Sequence, residues 1–196
     1  CKWESGLITI NEPKPLKVTY IVEHVKIHGE ATGKIFLTIE GGTEGLSGYT
    51  IQWLNGPSII KDPADPNYNE YNKDIENLSS GLYYASVSDE NGCTEYVTIE
   101  VNQPEVLSVD AKEEHVSCNG KNDGRILINK TEGGDGNYTY VWKGLNTGYY
   151  NDTSVNGNIS GLVADIYELT ITDGAGATLT EYYEVTQPDA ITITTV

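Results

Sequence analysis

Oxygen-bearing side chains gather on two short stretches. Asp89 and Glu90 lie in SDENG, and Asn119, Asn122 and Asp123 lie in NGKNDG. Closely spaced carboxylate and amide oxygens on a turn are the ligands from which calcium sites are built, so Ca²⁺ is the one cofactor these residues suggest. The same residues make ordinary turns, because Asp and Asn bond nearby backbone amides and Gly accepts positive φ. Three cysteines, Cys1, Cys93 and Cys118, are disulfide candidates. Tyr68 and Tyr71, and farther on Tyr149 and Tyr150, sit in stretches rich in Pro, Asn and Gly. Their rings offer apolar faces with a polar tip, suited to stacking on a glycan or a protein ligand. Catalysis finds no foothold. His24, His28 and His115 have no Ser or Cys nucleophile in a recognisable setting, and neither a zinc-protease helix motif nor a phosphate-binding glycine loop occurs. The sequence reads as a protein that is not an enzyme, with no catalytic residue.

The elements that carry these residues are strands. In GLYYASVSDENGCTEYVTIEVNQP, Gly81 to Pro104, the residues Tyr83, Ala85 and Val87 alternate with polar neighbours, the pattern of a half-buried strand. Asp89 to Gly92 turns the chain, and Val97, Ile99 and Val101 return it. DIYELTITDGAGATLTEYYEVTQP, Asp165 to Pro188, repeats the plan, and CKWESGLITINEP at the start repeats its second half. HVSCNGKNDGRILI, His115 to Ile128, matches HVKIHGEATGKIFL, His24 to Leu37. Tyr138, Tyr140 and Trp142 repeat the stripe Tyr49, Ile51, Trp53. Glu30 and Thr32 stand where the later copy has Lys121 and Asp123, so the calcium ligands do not recur.

Residues 1–13 therefore read as the last strand of a preceding repeat, 14–104 as repeat one, 105–188 as repeat two, and 189–196 as the first strand of a following repeat. The register of Cys1 favours this reading over an acylated lipoprotein cysteine. Each interval is long enough to bury its own core. Short strands, one Trp on a mid-chain strand and one Tyr near the start of the penultimate strand predict an all-β fold: tandem immunoglobulin-like sandwiches in an extended array. Trp53, Trp142, Tyr83 and Tyr167 are expected in the cores. The stretches Leu54 to Glu76 and Gly144 to Asn158 read as solvated crossovers. A formal net charge of −17 argues against nucleic-acid and anionic membrane partners, and no apolar run is long enough for membrane insertion.

These residues resemble the SprB-type repeat of Bacteroidetes surface proteins. The resemblance rests on Val116-x-Cys-Asn-Gly-x-x-Asp-Gly124, on Gly133-Gly134 followed by Tyr138-Thr-Tyr-x-Trp142, on Gly81-x-Tyr83 through Asn91-Gly92-Cys93, and on the closing Gln103-Pro104 and Gln187-Pro188. It implies a structural stalk segment of a long cell-surface adhesin or filament, extracellular, exported by the type IX system and linked to gliding motility and attachment. The partners it implies are neighbouring repeats, with a surface polysaccharide or protein ligand bound elsewhere. An alternative is a glycan- or protein-binding immunoglobulin-like module with contacts in the tyrosine-rich crossovers. The resemblance also places cysteines where this chain has Ile27 and Ala177. Three thiol arrangements stay open: bridges between consecutive repeats, a Cys93–Cys118 bond, and unpaired thiols.

Overall fold

The computed structural model describes residues 12–46, 48–55, 58–59, 73–152 and 156–194. The expectations for Cys1, Tyr68, Tyr71 and most of residues 1–13 fall outside them. Every described regular element is a strand. Two compact units divide the chain, one made of Cys1–Val25 and Ala31–Asn102, the other of Lys26–Glu30 and Gln103–Val196. The turn Lys26–Glu30 is thus part of the second unit.

The first unit holds β1 (Lys17–Glu23), β2 (Gly33–Glu40), β3 (Thr50–Asn55), β4 (Ser58–Ile59), β5 (Asp74–Leu78), β6 (Gly81–Ser88) and β7 (Thr94–Val101). One sheet has the order β1-β2-β5 and the other β4-β3-β6-β7, with antiparallel pairing throughout. The second unit repeats this with β8 (Ser108–Glu114), β9 (Gly124–Glu132), β10 (Thr139–Gly144), β11 (Tyr150–Asn151), β12 (Ile159–Leu162), β13 (Asp165–Thr172) and β14 (Thr178–Val185). Its sheets run β8-β9-β12 and β11-β10-β13-β14. Both units are immunoglobulin-like sandwiches. The fourth strand pairs with the third, whereas in a constant-type immunoglobulin domain it extends the opposite sheet.

Alternation explains the cores. On β6 Tyr83, Ala85 and Val87 face inward, and on β13 Tyr167, Leu169 and Ile171 do the same. Neighbouring and facing strands add Ile35, Leu37, Ile51, Trp53, Ile99 and Val101 in one unit, and Ile126, Tyr140, Trp142 and Val185 in the other. Removing each such aliphatic side chain from water contributes about 1.5–3 kcal/mol before chain entropy is counted. The Trp142 indole is fully enclosed and donates Nε1–H to the Gly157 carbonyl at 2.8 Å, so its one polar atom costs nothing by burial.

Two strands that alternation does not reveal lie in or beside the crossovers. β5 takes Asp74 to Glu76 out of the expected first crossover, and β12 begins at Ile159, just past the second. In β5 the inward residues are Ile75 and Leu78, three apart rather than two, because the register slips between Gly33 and Lys34 and Asn77 adopts φ 59°. In β12 Ile159 and Leu162 are likewise three apart, with a slip between Ser160 and Leu162 and Gly161 at φ 73°. A β-bulge breaks the period that identifies a strand. Among the described residues, 189–194 pair with no strand, and Ile191 and Ile193 are exposed.

Candidate functional site

The recurring motifs converge on three hydrogen-bonded clamps. The first explains the paired glycines. Gly41 and Gly133 have φ 74° and 82°, and a Cβ there would collide with the carbonyl oxygens of Pro15 and Val106. Next in chain, the Gly42 amide donates to Lys14 O at 2.7 Å and the Gly134 amide to Glu105 O at 2.9 Å. Tyr49 and Tyr138 close the motif by donating to the Gly41 and Gly133 carbonyls at 2.7 and 2.6 Å. Only glycine permits both the left-handed conformation and the close approach.

The second clamp is the aspartate after the penultimate strand. Asp89 is buried, and its carboxylate accepts the amides of Thr43, Asn91 and Cys93 at 3.0, 3.0 and 2.8 Å. Backbone hydrogen bonds, that from Thr43 first, hold its carboxyl below the usual range. Asp173 does the same work for the amides of Asp135 and Ala177, at 3.0 and 2.7 Å. Glu90 is exposed, and its amide donates to Thr43 O at 2.9 Å. Asp89 thus spends both oxygens on the backbone of its own turn and of the loop before β3.

The third clamp uses the closing Gln-Pro. In the second unit the Gly29 amide donates to Gln103 Oε1 at 2.9 Å, and His28 Nδ1–H to the Pro104 carbonyl at 2.9 Å. Farther along, the Gly120 amide donates to Gln187 Oε1 at 2.8 Å, and the Asn119 amide group to the Pro188 carbonyl at 3.1 Å. Beside each clamp stands a histidine. His24 Nδ1 accepts the Asn102 amide at 3.1 Å, and His115 Nδ1 accepts that of Thr186 at 3.3 Å. The two histidines that recur in register are ties between the end of the first strand and the end of the last.

The calcium candidates fall into two separate turns. Asp123 accepts from the Ser117 hydroxyl and amide at 2.6 and 2.9 Å, and these bonds, the hydroxyl first, lower its pKa. Asn119 is committed to Pro188, and Asn122 lines a neighbouring polar groove with Arg125 and Asn158. Among the described residues no three His, Cys, Asp or Glu side chains come together as a metal cluster.

Of the described tyrosine pair, Tyr149 turns inward and meets Tyr167 edge-on, ring centroids 5.5 Å apart, whereas Tyr150 is 60% exposed. Tyr149 was expected at the surface. It is drawn in because Asp165 pins the loop before it, accepting from the amides and side chains of Asn146 and Thr147 at 2.6 to 3.2 Å. Burial pushes the Asp165 carboxyl up, but these bonds outweigh it and hold the group at about 2. Asp165 escaped the sequence reading because repeat one carries Gly81 in its place. Cys93 and Cys118 are free and exposed.

Residues 114–147 match the SprB repeat family model. That span carries the Cys118 turn, the paired glycines and the Tyr-Thr-Tyr-x-Trp strand described above. No curated protein matches the chain. Among solved structures, the three N-terminal domains of the highly immunogenic outer capsid protein of bacteriophage RB49 are similar at TM-score 0.52 and 13% identity, over 88% of this chain and 59% of that one. The N-terminal eight Ig domains of the Down syndrome cell adhesion molecule match at TM-score 0.42 and 14% identity, over 89% of this chain and 25% of that one. The mouse nectin-like molecule 4 ectodomain matches at TM-score 0.40 and 11% identity, over 92% and 67%. The chain thus spans less than two thirds of the first two, and the first likeness is one of fold.

Proposed function

We propose that this chain is a structural stalk segment of a long, repetitive bacterial cell-surface adhesin or filament. One observation carries the reading: residues that recur between the two repeats are spent on holding the repeat and its flanking chain in shape. Gln103 and Gln187, the glycine pairs, Asp89 and Asp173, and His24 and His115 all bond to backbone groups. A catalytic or binding site would instead leave recurring polar groups open to a substrate. The SprB repeat match supports a surface location, with export by the type IX route and a part in attachment or gliding motility. On this reading calcium is not required, and ligand contacts lie elsewhere on the parent protein.

A binding module is the second reading, favoured by exposed apolar side chains in and beside the second crossover. Tyr150, Leu145 and Ile166 are exposed at 60, 52 and 40%, and the Leu145 amide donates to Ile166 O at 2.9 Å. The two readings part on a triple substitution, Leu145→Ser, Tyr150→Ser and Ile166→Thr, in the parent protein. A stalk retains cell attachment and motility, and loss of attachment with the fold intact would favour the module.

A further inference from the structure

Two cavities of the second unit are built to one plan. The first, about 480 Å³, is walled by the Ile27-His28 turn, the segment Glu105 to Leu107, the hairpin turn at Gly176 and Ala177 between β13 and β14, and the loop at Gly134. The second, about 430 Å³, has the turn Ser117 to Asn119 and the segment Pro188 to Ile191. The shared walls correspond by sequence: Cys118 stands at the position of Ile27, Asn119 at that of His28, and Asp189 to Ile191 at those of Glu105 to Leu107. They are also held by the same bonds, from Gly29 and His28 in one cavity and from Gly120 and Asn119 in the other. The hairpin wall and the glycine-pair loop of the first cavity, both supplied by repeat two, have no counterpart in the second among the described residues.

We propose that the second cavity seats the hairpin turn of a further copy of this repeat, and that a cysteine at the Cys93 position of that copy forms a disulfide with Cys118. The proposal rests on the reading of the chain as part of a repeat array. Ala177, on the hairpin wall of the first cavity, occupies the position that Cys93 holds in repeat one, and Ile27 on the facing wall occupies that of Cys118. The cavity with both walls thus has the two cysteine positions facing one space, filled here by apolar side chains. Cys93 and Cys118 are both exposed and unpaired, as two halves of such a joint must be before they meet. The segment beyond the cavity agrees. Ile191 and Ile193 are 94 and 87% exposed, while Leu107 and Val109, at the same positions, are half-buried and Val109 packs against the core. A further repeat would cover these isoleucines in the same way.

The chemistry is thiol–disulfide exchange with an external disulfide. The Cys118 thiolate attacks a sulfur of oxidised glutathione, releasing one glutathione thiolate and leaving a mixed disulfide. The partner cysteine's thiolate attacks the Cys118 sulfur and releases the second. Two protein thiols give up two electrons and two protons, and the oxidant leaves as two molecules of reduced glutathione.

The test appends a second copy of residues 14–104 directly after Pro188, oxidises the chain with oxidised glutathione and maps disulfides by mass spectrometry. The expected result is Cys118 joined to the appended copy of Cys93 and protected from alkylation. Cys118 fully alkylatable in a folded chain, or joined to the original Cys93, overturns the proposal. A variant of the unextended chain keeps the question decidable if the extended one misfolds: Ile27→Cys with Ala177→Cys, in a background of Cys1→Ser, Cys93→Ser and Cys118→Ser. Its two introduced thiols are expected to close on oxidation, and their persistence as free thiols in the folded protein overturns the facing geometry. Either failure leaves the stalk reading standing, because that reading is tested on the parent protein.

Discussion

The side chain of Gln187 accepts the backbone amide of Gly120 at 2.8 Å, tying the closing Gln-Pro to a turn laid down far earlier in the chain. Gln103 makes the same bond to Gly29. Gln187→Ala should cost about 0.5–1.5 kcal/mol, the net worth of one hydrogen bond. Its sharper signature is local: amide exchange at Gly120 accelerates in hydrogen-exchange NMR while the β13 amides keep their protection. Uniform loss of protection would mean that Gln187 supports the whole unit rather than the exit of the chain.

The two tyrosine corners make a matched pair. Tyr83 donates to Ser79 O at 2.8 Å and Tyr167 to Val163 O at 3.0 Å, both rings being buried. Tyr83→Phe and Tyr167→Phe should each destabilise their own unit by about 1–3 kcal/mol, since each leaves a carbonyl less well satisfied. Urea unfolding followed by residue-resolved NMR assigns the loss. A Tyr167→Phe effect in the first unit's resonances would contradict it.

Two glycines of one loop separate strain from collision. Gly134 has φ 60° and abuts Asp173, whereas Gly136 has φ 85° and open space around it. Gly136→Ala carries the left-handed penalty alone, about 1–2 kcal/mol. Gly134→Ala adds displacement of the Asp173 clamp and should cost clearly more, on the order of 3 kcal/mol or above. Thermal unfolding midpoints of the two variants rank them, and equal midpoints would remove the clamp from the account.

Acid should act on the second unit through Asp165. Its folded pKa of about 2 lies below the ordinary aspartate value of 3.8. The carboxylate therefore adds stability that is present above the unfolded value and is lost as pH falls from about 4 toward 2. Asp123 and Asp135 in the same unit are shifted in the same direction. Asp165→Asn should flatten, without abolishing, the decline of stability in that window, by on the order of 1–2 kcal/mol. An unchanged acid profile would show that the bonds from Asn146 and Thr147 do not favour the charged form.

Much of this architecture was legible because two copies could be read against each other. The alternation on β6 and β13, the tryptophans on β3 and β10, and the buried tyrosines followed from period and spacing. What stayed hidden has local physical causes. β5 and β12 carry a bulge that moves their inward residues from two apart to three, and Tyr149 is pulled inward by an aspartate that the other repeat lacks. The Asp89 turn was open to two readings because calcium ligation and amide capping ask for the same side chains. The bonds from Thr43, Asn91 and Cys93 show how its oxygens are used. Addition of Ca²⁺, or its removal by a chelator, should accordingly leave the thermal midpoint unchanged, and a calcium-dependent rise would restore the metal reading.

The central claim concerns what the segment is part of, and the most direct measurement is the extent of the native polypeptide. Protease shaving of intact cells, followed by mass-spectrometric mapping, should yield peptides from this chain together with many related repeats on one long surface polypeptide. A parent barely longer than these two units would contradict the stalk, leaving the face around Tyr150 as the part of the molecule that must do the binding.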